Sequence, residues 1–324
     1  MPIGTVPSYQ PPFPFIYGHV QTLYPTLLRK MQAGGCRRQR IDTPDGDFLD
    51  IDWHLAGQGY AERVVVVSHG LEGNSRKKYP LGMARHLNSQ GWDVVCLNFR
   101  GCSGEPNLLP RFYHSGVTDD LHTVLCHTLQ TGGYKKAALI GFSMGGNQTL
   151  KYLGEDPAKV PTEVVAAVTF SVPCDLANAS RRLDRLENRL YMEYFMKGLR
   201  EKVRIKAQMF PDILDTQGLA GMRTFLPFDD KYTAPIHGFK DARDYYTKCA
   251  SLQFLPSIKV PTLLVQAKDD PFLADSCYPV KEAEASTYLH LEIPSYGGHV
   301  GFMQPGEVYW SEARAAKFLE DNDI

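Results

Sequence analysis

Short apolar runs alternate with amphipathic stretches along most of this 324-residue chain. The apolar runs predict strands at residues 64–68, 94–99, 137–142, 164–170, 262–267 and 288–293, and two extended runs predict a hairpin at residues 38–42 and 48–54. The amphipathic stretches predict helices at residues 79–90, 118–131, 147–153 and 308–319, and Thr118 is expected to cap the second of these. Uninterrupted apolar runs are typical of strands buried on both faces. The alternation therefore predicts an α/β fold with a mostly parallel central sheet and helices on both faces.

The alternation is interrupted at the N-terminus and in the middle of the chain. Residues 1–35 are rich in proline and predict an irregular arm that packs on the core, with one short helix at residues 22–30. Residues 172–256 carry charged and aromatic side chains at helical spacing, and they predict a helical cap insertion over the carboxyl end of the sheet. The predicted core then consists of residues 36–171 and 257–324.

Composition and charge narrow the possible functions. The formal net charge is -1 and the pI is about 6.8. The basic runs at residues 37–40 and 76–78 are short and predict solvated surface, so a nucleic-acid partner is not expected. No window approaches about 18 consecutive apolar residues, and no basic segment precedes an apolar one at the N-terminus. We therefore expect no signal peptide, no integral membrane association and a cytoplasmic location.

The seven cysteines and ten histidines show no metal-ligand spacing. The cysteines are odd in number and scattered without a C-x-x-C pair, which argues against zinc fingers and a disulfide framework and favours a reducing compartment. His122 and His127 are five residues apart and miss the i, i+4 face that a shared ion requires. No nucleotide-binding glycine motif is present either, so no cofactor and no metal are expected. The oligomeric state is left open.

Residues 137–146 have the pattern of a buried strand, a sharp turn and the start of a helix. At the centre of the turn, Gly141 and Gly145 flank Ser143, with one residue between each glycine and the serine. This Gly-x-Ser-x-Gly turn lifts a serine hydroxyl clear of the strand in an α/β-hydrolase sheet, and side chains at the glycine positions would collide with neighbouring backbone. Ser143 is therefore the predicted nucleophile. The alternative is an inert serine in a tight strand-to-helix turn.

A serine nucleophile needs a general base and an acid that orients the base. In α/β hydrolases the acid and then the histidine follow the serine along the chain. Asp270 and His299 each follow a predicted strand, so both should lie at the edge of the sheet that presents Ser143. Asp270 is favoured over the adjacent Asp269 because Pro271 restricts the backbone of Asp270 to an extended form.

The oxyanion of an acyl-transfer intermediate requires two backbone N–H donors. Met144 should supply one of them, because it is the residue after the nucleophile. Leu71 is the best candidate for the other, since Gly70 allows the following peptide to turn towards the site. His69 lies in the same loop, before the serine in sequence, and is expected to have a structural hydrogen-bonding role.

Several motifs together resemble one known group, the YheT-like hydrolases, which form the type 4 family of the α/β-hydrolase superfamily. The motifs are HGLEG at residues 69–73, NFRGCSGE at 98–105, YHSG at 113–116, TDDL at 118–121 and GFSMGGN at 141–147. GHVQT at residues 18–22 is similar to the family's Asn-Pro-His-x-Gln-Thr opening, with Tyr17 and Gly18 in place of Asn-Pro. The resemblance covers nearly the whole chain.

The resemblance implies carboxylic-ester hydrolysis by a triad of Ser143, Asp270 and His299. Some eukaryotic members act on phospholipids and carry an N-terminal membrane anchor, and this sequence looks like the bacterial members that lack one. We expect a serine esterase that acts on short to medium acyl esters or lipids through an acyl-enzyme. The same triad would also serve a lipase, phospholipase, thioesterase, amidase, peptidase or acyltransferase, and a non-catalytic binding module is a further alternative.

Overall fold

The computed structural model describes residues 9–31 and 34–322. One eight-stranded sheet forms the centre, in the order β1-β2-β4-β3-β5-β6-β7-β8. The strands are β1 Arg37–Asp42, β2 Phe48–His54, β3 Arg63–Ser68, β4 Asp93–Leu97, β5 Lys136–Phe142, β6 Val164–Phe170, β7 Thr262–Val265 and β8 Leu289–Glu292. The β1–β2 and β2–β4 pairs are antiparallel, and every later pair is parallel. The mostly parallel sheet predicted from the sequence is therefore confirmed.

Helices flank both faces of this sheet. They are α1 Gly18–Leu27, α2 Lys78–Ser89, α3 Asp119–Gly132, α4 Met144–Glu155, α5 Leu176–Leu183, α6 Arg189–Met209, α7 Phe225–Phe228, α8 Ala234–Ile236, α9 Ala242–Cys249, α10 Val280–Glu284 and α11 Trp310–Asp321. In β3, Val64 and Val66 share one buried core with α3 and α4, whereas Val65 and Val67 share a second core with α2 and α11. The continuous valine run follows from this burial on both faces.

The α1 helix begins four residues before the predicted start at Thr22. The side chain of Gln21 is fully buried, accepts a hydrogen bond from the Tyr9 hydroxyl at 2.8 Å and donates one to the carbonyl of Phe15 at 2.8 Å. Arg29, just after the helix, forms a buried ion pair of 2.6 Å with Glu312 of α11. The Arg29–Glu312 pair ties the end of this segment to α11, and the assignment of residues 1–35 as an arm that packs on the core stays a prediction. Residues 1–8 and 32–33 of the predicted arm lie outside the described residues.

The expected cap of α3 by Thr118 is wrong. Thr118 has a helical backbone conformation, with φ -100° and ψ -21°, and makes no side-chain capping bond. A capping side chain normally extends from a residue with extended backbone. The Thr118 hydroxyl instead donates a hydrogen bond to Glu155 at the end of α4.

A buried arginine joins the β1–β2 turn to α3. The Arg100 side chain is 1% exposed and lies 2.9 Å from Asp45, 3.1 Å from Asp47 and 2.6 Å from Asp120. A fixed, planar guanidinium can satisfy several carboxylates at once, which compensates the cost of burying the charge. This cluster fixes the chain directly after β4, within the NFRGCSGE motif.

The segment between β6 and β7 is largely helical, as the pattern predicted, and it builds an apolar cluster of its own. The cluster includes Met196, Leu199 and Val203 of α6 together with Phe228 and Tyr232. Residues Asp229–Thr233 form a π-helical turn between α7 and α8. Its assignment as a separate cap at residues 172–256 stays a prediction.

Candidate active site

The turn between β5 and α4 holds Ser143 in a conformation that few residues adopt. Ser143 has φ 54° and ψ -119°, between a strand that ends at Phe142 and a helix that begins at Met144. A Cβ on Gly141 would lie 2.6 Å from the carbonyl oxygen of Gly145, and a Cβ on Gly145 would lie 2.5 Å from the carbonyl oxygen of Ser68. The glycines are therefore required by close backbone approach, and the strain lifts the serine hydroxyl above the sheet edge.

The structure brings Ser143, His299 and Asp270 together from three separate strand ends. The Nε2 atom of His299 lies 2.8 Å from the Ser143 hydroxyl oxygen. On the other side of the ring, Nδ1 lies 2.9 Å and 3.1 Å from the two carboxylate oxygens of Asp270. A carboxylate only accepts hydrogen bonds, so Nδ1 donates to it and Nε2 is left free to accept the serine proton. The Asp270 side chain has no exposed area, and that of His299 is 10% exposed.

The neighbouring Asp269 does not face the imidazole. One of its carboxylate oxygens accepts the N–H of Gly298 at 2.9 Å. Burial raises the pKa of Asp269 to about 6. Asp270 is thus the acid in contact with His299. It is also the acid that the position of Pro271 favoured.

The loop that carries His299 is positioned by groups that sequence reasoning did not identify. The N–H of His299 donates to the Thr22 hydroxyl at 2.9 Å, and that hydroxyl donates to the Gly18 carbonyl at 2.7 Å. The N–H of Val300 donates to the Ser171 hydroxyl at 2.9 Å. Thr22 belongs to the GHVQT motif. The resemblance of this motif to the family's N-terminal opening was the one feature of the sequence that could have pointed to Thr22.

The two predicted oxyanion donors lie beside the serine. The N–H of Met144 is the first in α4, so it has no partner within the helix. A Cβ on Gly70 would lie 3.2 Å from the Cβ of Ser143, which places the loop after β3 against the nucleophile. Within the described part of the chain, the N–H of Leu71 has no hydrogen-bond acceptor. Their assignment as the oxyanion donors stays a prediction.

The loop after β3 is tied to α6 through Glu72. Glu72 has φ 54°, a conformation that is costly for a residue with a side chain. Its N–H donates to the Tyr113 hydroxyl at 3.1 Å, and that hydroxyl donates to a Glu72 carboxylate oxygen at 2.5 Å. The same carboxylate pairs with Lys202 of α6 at 2.9 Å. These contacts fix the peptide next to Leu71.

His69 has the structural role expected for it. Its Nδ1 donates to the Gly70 carbonyl at 2.7 Å, and its Nε2 accepts the N–H of Phe99 at 3.2 Å. Complete burial lowers the pKa of His69 to about 3, so the ring is neutral at physiological pH. It does not contact the serine and instead holds the loop after β3 against the end of β4.

A cavity of about 110 Å³ lies against Ser143. The wall formed by the core includes Leu71, Ser143 and Met144. The segment between β6 and β7 contributes further lining residues, among them Leu183 and Phe195. The site is thus an apolar recess with the serine hydroxyl at one side, which suits an acyl group.

All seven cysteines are free thiols. In residues 9–31 and 34–322, no three His, Cys, Asp or Glu side chains cluster as metal ligands would. None of the helices in the same residues has both the length and the apolar character needed to cross a bilayer.

Comparisons with known proteins agree with the fold. Residues 63–212 match the family model of the alpha/beta hydrolase fold. The candidate esterase YheT of Escherichia coli (strain K12) is 35% identical over 93% of this chain and 89% of its own length. Mouse phospholipase ABHD3 is 31% identical over 88% of this chain and 70% of its own length. The chain therefore belongs to the YheT-like family of α/β hydrolases.

A solved structure shows the same fold. The esterase Pf2001 of Pyrococcus furiosus superposes with a TM-score of 0.58 at 18% identity, and the match covers 89% of this chain and 92% of that chain. At this identity the similarity concerns the fold alone. It is consistent with the strand order and the flanking helices described above.

Proposed function

We propose that this chain is a carboxylic-ester hydrolase that acts through Ser143, His299 and Asp270. The observation that carries the proposal is the continuous hydrogen-bond chain of 2.8 Å from Ser143 to His299 and 2.9 Å from His299 to Asp270. Nucleophile, base and orienting acid stand in the order that general-base activation of a serine requires. The strained turn at Ser143 and the two free N–H groups beside it support the same chemistry.

In this mechanism the Ser143 hydroxyl oxygen attacks the ester carbonyl carbon while its proton passes to Nε2 of His299. The N–H groups of Met144 and Leu71 stabilise the resulting oxyanion. His299 then gives the proton to the leaving alcohol oxygen, and an acyl-enzyme remains on Ser143. A water molecule repeats the two steps and releases the acid. Asp270 stabilises the imidazolium in both.

The proposed substrates are short to medium acyl esters. A cavity of about 110 Å³ is of the same order as cavities of about 150 Å³ that bind benzene. Its apolar lining favours a small hydrocarbon group over a charged one. We propose a cytoplasmic location, with a small acyl ester or lipid as the binding partner, and the seven free thiols support a reducing compartment.

Lipid hydrolysis is the second candidate, because several relatives are named for it. Two of them are mouse phospholipase ABHD3 and the yeast monoacylglycerol lipase, which is 28% identical over 83% of this chain and 59% of its own length. An amidase, thioesterase or acyltransferase would share the acyl-enzyme step and differ only in the leaving or accepting group.

The test is turnover of p-nitrophenyl butyrate by the purified protein and its Ser143→Ala variant. We expect the variant to lose on the order of 10⁴ or more in kcat. Ser89→Ala is the matched control, because Ser89 is an exposed residue at the end of α2. Unchanged turnover in Ser143→Ala would refute the proposal. Phosphatidylcholine vesicles, monoacylglycerols, amides and thioesters tested in parallel distinguish the candidates.

A further inference from the structure

The cavity beside Ser143 contains one acidic side chain that the proposed mechanism does not use. Asp229 lines the same cavity as Ser143, on the π-helical turn between α7 and α8. Its neighbours in the lining are apolar side chains together with the hydroxyl groups of Ser180, Thr233 and Tyr246. Departures from regular α-helix geometry of this kind occur frequently at functional sites.

Asp229 is hydrogen-bonded but not neutralised. One carboxylate oxygen accepts the Thr233 hydroxyl at 2.6 Å, and the other accepts the Tyr246 hydroxyl at 2.6 Å. Across residues 9–31 and 34–322, no lysine, arginine or histidine forms an ion pair with this carboxylate. An ionised carboxylate can accept about four hydrogen bonds, so acceptor sites remain for a further donor.

An ionised Asp229 carboxylate is unfavourable in this cavity. Burial, with a smaller contribution from the charge of Asp230, raises the pKa of Asp229 to about 6. At neutral pH the carboxylate is therefore mostly ionised in an apolar recess without a cation. The two hydroxyl contacts use one acceptor site on each carboxylate oxygen, and they leave the other acceptor sites and the charge without a partner. An alkyl chain bound against the carboxylate would bury it further without compensation.

We propose that Asp229 is a specificity-determining residue, which accepts a hydrogen bond from a hydroxyl or ammonium group carried by the acyl part of the substrate. This inference rests on the proposed function and adds the substrate class to it. The acyl part is the part concerned, because it stays bound to Ser143 after the alcohol leaves and so occupies the cavity through both steps. A buried carboxylate disfavours analogues that lack the donor, because their alkyl groups remove water from its remaining acceptor sites and put no donor in its place.

The experiment compares p-nitrophenyl esters of matched acyl length that end in methyl, hydroxyl or ammonium. Acyl chains of six and eight carbons are used, because a four-carbon chain that ends in a hydroxyl or amine closes on its own carbonyl and releases p-nitrophenol without the enzyme. For the wild-type protein we expect a donor-ended ester to be preferred over its methyl-ended counterpart by about 10- to 100-fold in kcat/KM at one length or more. In Asp229→Leu this preference should be lost, so that donor-ended and methyl-ended esters of one length are turned over with similar kcat/KM.

Two variants make the result specific to the charge in the cavity. Asp229→Asn keeps an acceptor, so it should retain part of a hydroxyl preference and lose an ammonium preference. Asp230→Asn is the matched control, because Asp230 is exposed, adjacent in sequence and outside the cavity wall. It should leave the preference unchanged. If Asp229→Leu does not fold, the loss or retention of the ammonium preference in Asp229→Asn still tests the proposal.

Two results would overturn the inference. One is a wild-type protein that hydrolyses methyl-ended esters without preferring either donor at any length. The other is a proportional loss in all three series in the Asp229 variants, which indicates a structural role only. A wild-type protein that hydrolyses no ester would overturn the proposed function as well, and the Ser143→Ala comparison identifies that case.

Discussion

Replacing Asp270 by asparagine removes the charge that faces His299 and keeps the size of the side chain. The Nδ1 atom of His299 lies 2.9 Å from the nearer carboxylate oxygen. In the wild-type protein this oxygen accepts a hydrogen bond from the Nδ1–H group. An asparagine can instead present its NH₂ group, which favours the tautomer with the proton on Nε2. That tautomer cannot accept the proton of Ser143.

The size of the effect follows from the distance. A unit charge pair 2.9 Å apart interacts by ~6 kcal/mol at an effective dielectric constant of about 20. Because about 1.4 kcal/mol corresponds to a factor of ten in rate, losing this stabilisation of the imidazolium predicts a fall of about 10⁴ in kcat. The wrong tautomer acts in the same direction. KM should change little, since Asp270 lies behind the imidazole and away from the cavity.

The assay is steady-state hydrolysis of p-nitrophenyl butyrate, with thermal unfolding as a check on folding. Asp269→Asn is the matched control, because Asp269 lies next in sequence and bonds Gly298 instead of the imidazole. It keeps an acceptor for that N–H and should lower kcat less than about tenfold. A folded Asp270→Asn variant within tenfold of the wild type, or a larger loss in Asp269→Asn, would refute the reasoning.

Three further predictions concern stability and are measured by urea unfolding. Gly145→Ala should cost about 3 kcal/mol, because its Cβ would lie 2.5 Å from the Ser68 carbonyl oxygen; wild-type stability contradicts the required close approach. Arg100→Met should cost about 3–5 kcal/mol, because it leaves buried carboxylates unpaired; a loss below about 1 kcal/mol would argue against the buried cluster. Burial raises the pKa of Asp229 to about 6, above its unfolded value. As pH rises from about 4 to 6.5, the wild type should therefore lose up to ~3 kcal/mol relative to Asp229→Asn, and equal pH dependence would contradict this.

The central sheet could be predicted because burial on both faces leaves a direct mark on sequence. The valine run of β3 and the apolar run of β5 need no knowledge of distant contacts. The ends of the strands and helices were harder to predict. The strand predicted at residues 262–267 ends at Val265, because the following residues leave the sheet to build the loop of Asp270. The helix predicted from residue 147 begins earlier, at Met144. The sequence did not indicate this start, because the glycines of the turn have low intrinsic helix propensity.

The candidate triad could be named from chain order and strand ends alone, since parallel strands bring their carboxyl ends to one edge. Two other features of the site could not be predicted from the sequence. The hydrogen bond from His299 to Thr22 joins residues far apart in sequence, and no periodicity predicts such a contact. Asp229 lies in the stretch at residues 172–256, which carries charged and aromatic side chains at helical spacing, and that pattern does not show which charged side chain is buried. Its burial depends on how α7 and α8 pack over the core.

Reaction with a fluorophosphonate probe tests most directly whether Ser143 is an activated nucleophile. The folded protein is treated with the probe, digested and analysed by mass spectrometry. The account predicts one adduct, on the peptide that contains Ser143, and a much slower reaction in His299→Ala. An unlabelled folded protein, or an adduct on a different serine, would contradict the account.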